Sequence, residues 1–224
     1  MKPVIDHPWQ LDIDAAWALQ RELAAKVRCV EPGPIATVAG VDVAYAKDEM
    51  VLVASVVLLD AMTLEVVEAA EAEAAVQFPY VPGLFSFREL PAIMAALEKL
   101  SRRPDLVVCD GQGLAHPRRF GLACHLGVLY DLPTLGCAKT RLVGEAAEPA
   151  SARGSASELV DGEAVVGRVL RTQDGVKPVD VSIGHRITLD AACDWILRLT
   201  PRYRLPETTR QADQRVRRRL AALG

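Results

Sequence analysis

Apolar positions recur at helical spacing along residues 11–27, at Ile13, Trp17, Leu19, Leu23 and Val27, and predict a first helix. The pattern then changes. Residues 35–46, IATVAGVDVAYA, are small and β-branched and predict a strand. Residues 50–60 form an almost unbroken apolar run that predicts a second, buried strand, with Asp48 and Glu49 as a hairpin-like connection between the two. The stretch from Leu64, TLEVVEAAEAEAAV, is ambiguous: its order in the chain favours a third strand, but its alanines argue against one. A helix is expected over 92–103, regular only from near Leu90, because Pro91 would sit badly deep inside it. A short apolar strand over 105–111, a helix over 117–131 and a strand over 133–139 follow. Residues 150–158, rich in Ala, Ser and Gly, predict a flexible surface loop. Two further strands, 163–172 and 177–184, precede a helix over 188–200 capped by Thr188 or Asp190. Strands in a meander, followed by strands alternating with helices, predict an α/β fold: a mixed sheet with helices on its faces, in one domain covering 1–224.

Composition adds limits. Of the 224 residues, 50% are hydrophobic, enough for a sizeable core. No run approaches the roughly 18 apolar residues that a membrane span needs, and the N-terminal stretch lacks an apolar signal-peptide region. Five scattered cysteines, with no C-x-x-C pair, suggest buried thiols in a reducing cytoplasm. The net charge of −3 does not announce a nucleic-acid binder. Its distribution says more: between Arg202 and Arg219 seven arginines meet only Glu207 and Asp213. Such a segment could contact phosphates or could be a solvated helical tail.

Candidate chemistry gathers at three carboxylates. Asp42 interrupts the first strand, Asp110 ends the strand LVVCD, and Glu89 stands at a helix start. Buried carboxylates are costly unless paired or metal-bound, and converging ones favour Mg²⁺ or Mn²⁺. Each also has a plain reading: Asp42 could face outward from its strand, Glu89 could complete a capping box with Ser86, and Asp110 could be a turn acid. Before Glu89, Pro79, Pro82 and Gly83 form a stiff turn that holds up Tyr80. Gly111 and Gly113 permit close backbone approach to a ligand. His116 could orient water, touch a phosphate or cap a helix beginning at Pro117. Lys139 could neutralise developing phosphate charge or be an exposed loop lysine. No phosphate-binding P-loop is present, and GVDVAYAKDE lacks the Gly/Thr-rich loop of an actin-like ATPase.

The segments GVDVAY, PYVPGLFSFRE, DLVVCDGQGLAHPRRFGLACHLGVLYDLPTLGCAKTRL, IGHRITLDAA and YRLPETTRQAD, in this order from about Val38 to Asp213, resemble the endonuclease V family. The resemblance implies a ribonuclease H-like fold, a mixed central sheet flanked by helices. It implies a Mg²⁺-dependent DNA repair nuclease, with Mn²⁺ able to substitute. Such an enzyme cuts the second phosphodiester bond 3′ to deoxyinosine, leaves 3′-hydroxyl and 5′-phosphate ends, and does not remove the base. By the same resemblance, Asp42, Asp110 and Glu89 match the metal-binding acids, and Lys139 and His116 match positions near the scissile phosphate. Tyr80 matches a wedge between Pro79 and Pro82, while Gly83, Gly111 and Gly113 belong to motifs lining the lesion pocket. Asp213 stands where some relatives carry His, as a further metal ligand or one acting through water. The expected partner is deoxyinosine-containing DNA, bound by a monomer. The alternatives are an endoribonuclease for inosine in single-stranded RNA, and a lesion-binding protein that does not cut, which would require the acidic cluster to be broken.

Overall fold

The computed structural model describes residues 1–47 and 49–222, so Asp48 of the expected hairpin connection lies outside the described residues. Eight strands form one sheet: β1 (Thr37–Tyr45), β2 (Val51–Asp60), β3 (Val66–Ala75), β4 (Leu106–Cys109), β5 (Thr134–Ala138), β6 (Ala156–Asp161), β7 (Ala164–Leu170) and β8 (Val179–His185). Their order is β3-β2-β1-β4-β5-β8-β7-β6. β1, β4 and β5 run parallel at the centre, and the neighbours on both sides are antiparallel. Five helices cover it: α1 (Ile13–Ala24), α2 (Phe85–Leu97), α3 (Leu122–Tyr130), α4 (Leu189–Leu199) and α5 (Glu207–Ala221). This is the mixed α/β sheet that the sequence pattern predicts, and the ribonuclease H-like fold that the resemblance implies.

The burial of β2 explains its unbroken apolar run. Leu52, Ala54, Val56 and Leu58 pack with Ile93 and Leu97 of α2, while Val57 and Leu59 pack with Ala212 of α5. A strand covered on both faces has no reason to alternate. β3 is a strand despite its alanines. It lies at the sheet edge, and three of its glutamates find partners there: Glu68 accepts from Ser101, Glu71 lies 4.0 Å from Arg215, and Glu73 pairs with Arg219 at 2.6 Å. Charged side chains on an edge strand also discourage pairing with another chain.

Several expectations are corrected. α2 starts at Phe85 and ends at Leu97, with Pro91 inside it, not near Leu90 and at Arg103. The proline removes the donor that Phe87 C=O would receive, a cost of about 3 kcal/mol. Burial of Phe87, Leu90, Ile93 and Leu97 offsets it at roughly 1.5–3 kcal/mol each. The capping box does not form: the N-cap is Leu84, Ser86 bonds His125 Nδ1 at 2.9 Å, and both Ser86 and Glu89 are buried. The helix expected from Pro117 begins at Leu122, so His116 caps nothing. The loop over 150–158 is tied down. The Arg153 guanidinium donates to the carbonyls of Thr172, Leu197 and Thr200, and the end of the stretch enters β6. Four cysteines are buried thiols, but Cys29 is exposed.

The arginine-rich segment is not a free tail. α5 packs on the sheet through Thr208, Thr209, Ala212 and Val216. Arg210 pairs with Glu207, Arg217 with Asp213 and Arg219 with Glu73, so much of the local positive excess is spent inside the protein.

Candidate active site

β1 and β4 are parallel neighbours, in register from Val38 opposite Leu106 to Val41 opposite Cys109. β4 stops at Cys109, so Asp42 and Asp110 are the next residues on two adjacent strands, at the same level. Beyond that level β1 has no neighbour on this side, and a cleft opens past the strand ends, where α/β sheets place ligands. The cleft, about 390 Å³, is lined by Asp42, Glu89, Asp110 and Lys139, with Tyr45, Phe85, Gln112 and Thr140.

The electrostatics record an unrelieved concentration of acid. Burial, then the neighbouring Asp110 carboxylate, pushes Asp42 up to about 7, and Asp213 adds to the effect from α5. Burial pushes Glu89 up to about 8; the hydrogen bond from Tyr45 opposes this, while the charges of Asp42 and Asp110 add to it. Lys139 forms an ion pair with Asp110. Burial disfavours the lysine charge, but Asp110, Asp42 and Asp213 outweigh it and raise its pKa. Asp42 therefore does not simply face solvent, Glu89 is no capping residue, and Lys139 is no ordinary loop lysine.

Among the described residues, no three His, Cys, Asp or Glu side chains close on one point as a ready-made metal site. The donor set nevertheless suits a hard cation. It consists of carboxylates, two of them pushed to near or above neutral pKa by burial and then by neighbouring carboxylate charge. Mg²⁺ needs only one or two protein carboxylates, because it keeps waters and takes substrate phosphate oxygens.

A second cavity, about 440 Å³, adjoins the first and shares Asp110, Gly111, Gln112, Phe85, Leu122 and Thr140 with it. Tyr80, Pro82, Gly83, His116 and Phe120 also line it. Tyr80 is 64% exposed and stands edge-on to Phe85, ring centroids 5.5 Å apart. No side chain caps the first turn of α2, which begins in this wall.

The structure separates the remaining sequence candidates. His116 sits against Gly83 in the wall of the second cavity and does not line the acidic cleft. Its Nε2 donates to Gly83 O at 3.0 Å and its Nδ1 accepts from Arg118 N–H at 3.2 Å. Burial, then the charge of Arg118, pushes it down to about 4, so it is neutral. Gly113 lines neither cavity. It lets the chain pass β8, where a Cβ would meet Ile183 O at 1.9 Å. Pro79 lies outside the lining, and Asp213 acts on Asp42 from behind while bonding Arg217 at 2.8 Å.

Sequence reasoning missed Tyr45, Gln112, Thr140 and Gln20. Gln112 Nε2 donates to Thr140 O at 2.8 Å, joining the β4 and β5 exit loops. Its place between two glycines of the densest motif was an available signal; Gln20 had none.

A protein-family model described as Endonuclease V matches residues 18–214. An endonuclease V of Streptomyces avermitilis is 55% identical over 215 residues, which cover 95% of this chain and 94% of that protein. The crystal structure of the Streptomyces avermitilis endonuclease V superposes with a TM-score of 0.93 at 54% identity, covering 98% of this chain and 97% of that one. A Ciona intestinalis endonuclease V, crystallised with a 24mer DNA containing an inosine followed by a ribo-adenosine, superposes at a TM-score of 0.82 and 25% identity, covering 94% of this chain and 99% of that one. With a family match over most of the length, and the acids, tyrosine turn and glycine-lined cavity in one place, the chain belongs to the endonuclease V family of nucleases.

Proposed function

We propose that this protein cuts a DNA strand at deoxyinosine, hydrolysing the second phosphodiester bond 3′ to the lesion and leaving 3′-hydroxyl and 5′-phosphate ends. The observation that carries the reading is the pair of adjoining cavities: one acidic, one lined by glycine and aromatic residues, sharing Asp110 and Gly111. The inosine-containing DNA bound by the Ciona relative supports it.

The glycine-lined cavity takes the extruded base. Unstacking a base costs a few kcal/mol, less where pairing is weak. Tyr80 refills the gap in the stack. Uncapped N–H groups at the α2 start offer donors to the O6 acceptor that replaces adenine's amine. In the acidic cavity Asp42, Glu89 and Asp110 would hold Mg²⁺, with Mn²⁺ able to substitute, and Asp213 would support them through its charge. A bound ion would supply activation of water and charge stabilisation of the leaving oxygen. Tyr45 orients Glu89, and Lys139 exchanges Asp110 for phosphate charge. No covalent protein nucleophile is required. The active form is proposed to be a monomer. No helix among the described residues is long and apolar enough to cross a membrane.

The test is nicking of an end-labelled inosine duplex with and without Mg²⁺, with the cut mapped to the nucleotide. Cutting at any other bond, or undiminished cutting in chelator, overturns the assignment. The ribo-adenosine beside inosine in the Ciona complex favours an RNA strand as second reading. Matched strands differing in that one sugar decide between the two.

A further inference from the structure

The carbonyl oxygen of Gly83 accepts three hydrogen bonds: from Gln20 Nε2 at 2.9 Å, Arg118 Nη2 at 2.8 Å and His116 Nε2 at 3.0 Å. The three donors are also tied together. Arg118 Nε donates to Gln20 Oε1 at 2.5 Å, and Arg118 N–H to His116 Nδ1. Gln20 gives its second amide proton to Phe120 O at 3.1 Å. Its amide therefore has both donors spent on two segments that line the base cavity, the Gly83 turn and the Phe120 segment. Gly83 sits at φ 79°, and a Cβ there would lie 2.7 Å from Arg118 Nη2, so glycine is required for the carbonyl to meet these donors.

A buried glutamine could serve only to fasten α1. That work is already done by apolar neighbours: Ala16 packs with Phe78 and Phe87, and Leu23 with Phe120 and Val128. Gln20 is fully buried, and an apolar side chain of equal length would avoid desolvating an amide. The polar group is spent on the cavity walls, and Gln20 does not line the acidic cleft.

We infer that Gln20 is a positioning residue for base selectivity: it fixes the spacing and orientation of the two cavity walls, through Gly83 and Phe120, and takes no part in cleavage. Arg118 and His116 hold the same carbonyl. The inference rests on the assignment of this cavity to the inosine base.

The experiment measures binding of inosine-containing and adenine-containing strands by fluorescence anisotropy in chelator, and kcat and KM for cleavage in Mg²⁺. It compares wild type with Gln20→Met, Gln20→Glu and Arg118→Met. Gln20→Met keeps length and loses every hydrogen bond; Gln20→Glu keeps the acceptor for Arg118 and loses both donors. Taking the Gln20 donor from Phe120 O and one of three donors from Gly83 O should lower the inosine-to-adenine preference about tenfold or more in both Gln20 variants. The loss should appear in KM and in binding to inosine strands. Saturated kcat, and binding to adenine strands, should stay within about threefold of wild type, because the acidic cavity is untouched. Preference retained in folded Gln20→Met, full activity of Gln20→Glu, or a loss confined to kcat would each overturn the inference. If the Gln20 variants do not fold, Arg118→Met decides, because Arg118 is only part-buried and bonds the same oxygen. Unchanged preference there overturns it as well. A wild-type protein without inosine preference would instead sink the proposed function itself.

Discussion

Tyr45 donates its phenolic O–H to Oε1 of Glu89 at 3.0 Å, joining the end of β1 to the second turn of α2. The Arg88 guanidinium lies over the Tyr45 ring, 4.8 Å from its centroid, so the phenol is held from both sides. Burial, then the charge of Glu89, raises the tyrosine pKa, which keeps the hydroxyl a donor. Glu89 therefore reaches the cleft already aimed by the strand that carries Asp42. Removing such an outer partner typically costs 10–100-fold in metal affinity or activity. Tyr45→Phe should raise the Mg²⁺ concentration for half-maximal nicking about tenfold and leave the cut position unchanged. An unaltered Mg²⁺ titration would show that Glu89 needs no such support.

The acidic cleft should destabilise the metal-free protein as pH rises. Asp42 and Glu89 titrate near 7 and 8 in the folded chain, against roughly 3.9 and 4.3 when unfolded. Between those values the folded state holds protons that the unfolded state has released, so stability falls with increasing pH. The stabilising contribution is complete below about pH 4 and gone above about pH 8. Thermal melting in chelator should show Tm falling from pH 5 to pH 8 on this account. Asp42→Asn, which cannot ionise, should flatten the slope, and Mg²⁺ at pH 8 should restore wild-type Tm. A slope identical in Asp42→Asn would remove Asp42 as its source.

α5 is seated by a backbone contact. A Cβ on Gly40 would lie 2.3 Å from the carbonyl carbon of Thr208, and backbone cannot step aside as a side-chain end can. Gly40→Ala should cost about 1–3 kcal/mol of stability, the usual penalty of overpacking. It should also push α5, and Asp213 with it, off the strand that holds Asp42. Denaturant unfolding measures the first effect and Mg²⁺ titration of nicking the second. A variant as stable as wild type would mean that the helix can shift without loss.

The sequence was legible wherever a residue's neighbours in the chain decide its place. The β-branched run of β1 and the apolar run of β2 form the strands they predict. Asp42 stood out because a carboxylate is rare in such a run. What fixes its role lies elsewhere: β4 ends opposite Val41, which puts Asp110 at the same level. β3 was ambiguous because its alanines argue against a strand, whereas Glu71 and Glu73 find their partners in Arg215 and Arg219 of a helix about 140 residues later. The start of α2 was misplaced because the local cost of Pro91 was visible and the burial of the helix around it was not. β6 was missed because it emerges from an Ala/Ser/Gly tract and gains its partners from β7 and from Glu145. His116 was grouped with the phosphate chemistry by its position in a motif, whereas its two nitrogens are committed to Gly83 and Arg118.

Tyr80 carries the last prediction. Its ring is exposed at the rim of the base cavity and braced edge-on by Phe85, while Pro82 and Gly83 shape the turn beneath it. A large apolar ring left in water is unfavourable unless a partner covers it, and a base step opened by extrusion offers two π-faces. Base–aromatic stacking is worth about 1–3 kcal/mol per base. Tyr80→Ala should therefore weaken binding to an inosine duplex by about tenfold to a hundredfold. Tyr80→Phe keeps the ring and should bind within about threefold of wild type, because stacking does not use the hydroxyl. Melting in Mg²⁺ should be unchanged in both, since the ring lies outside the acidic cleft. A single-stranded inosine substrate separates the contributions: with no opposing strand to hold apart, the penalty of Tyr80→Ala should shrink. Equal losses on single and double strands would make Tyr80 a direct contact to the inosine strand and not a wedge.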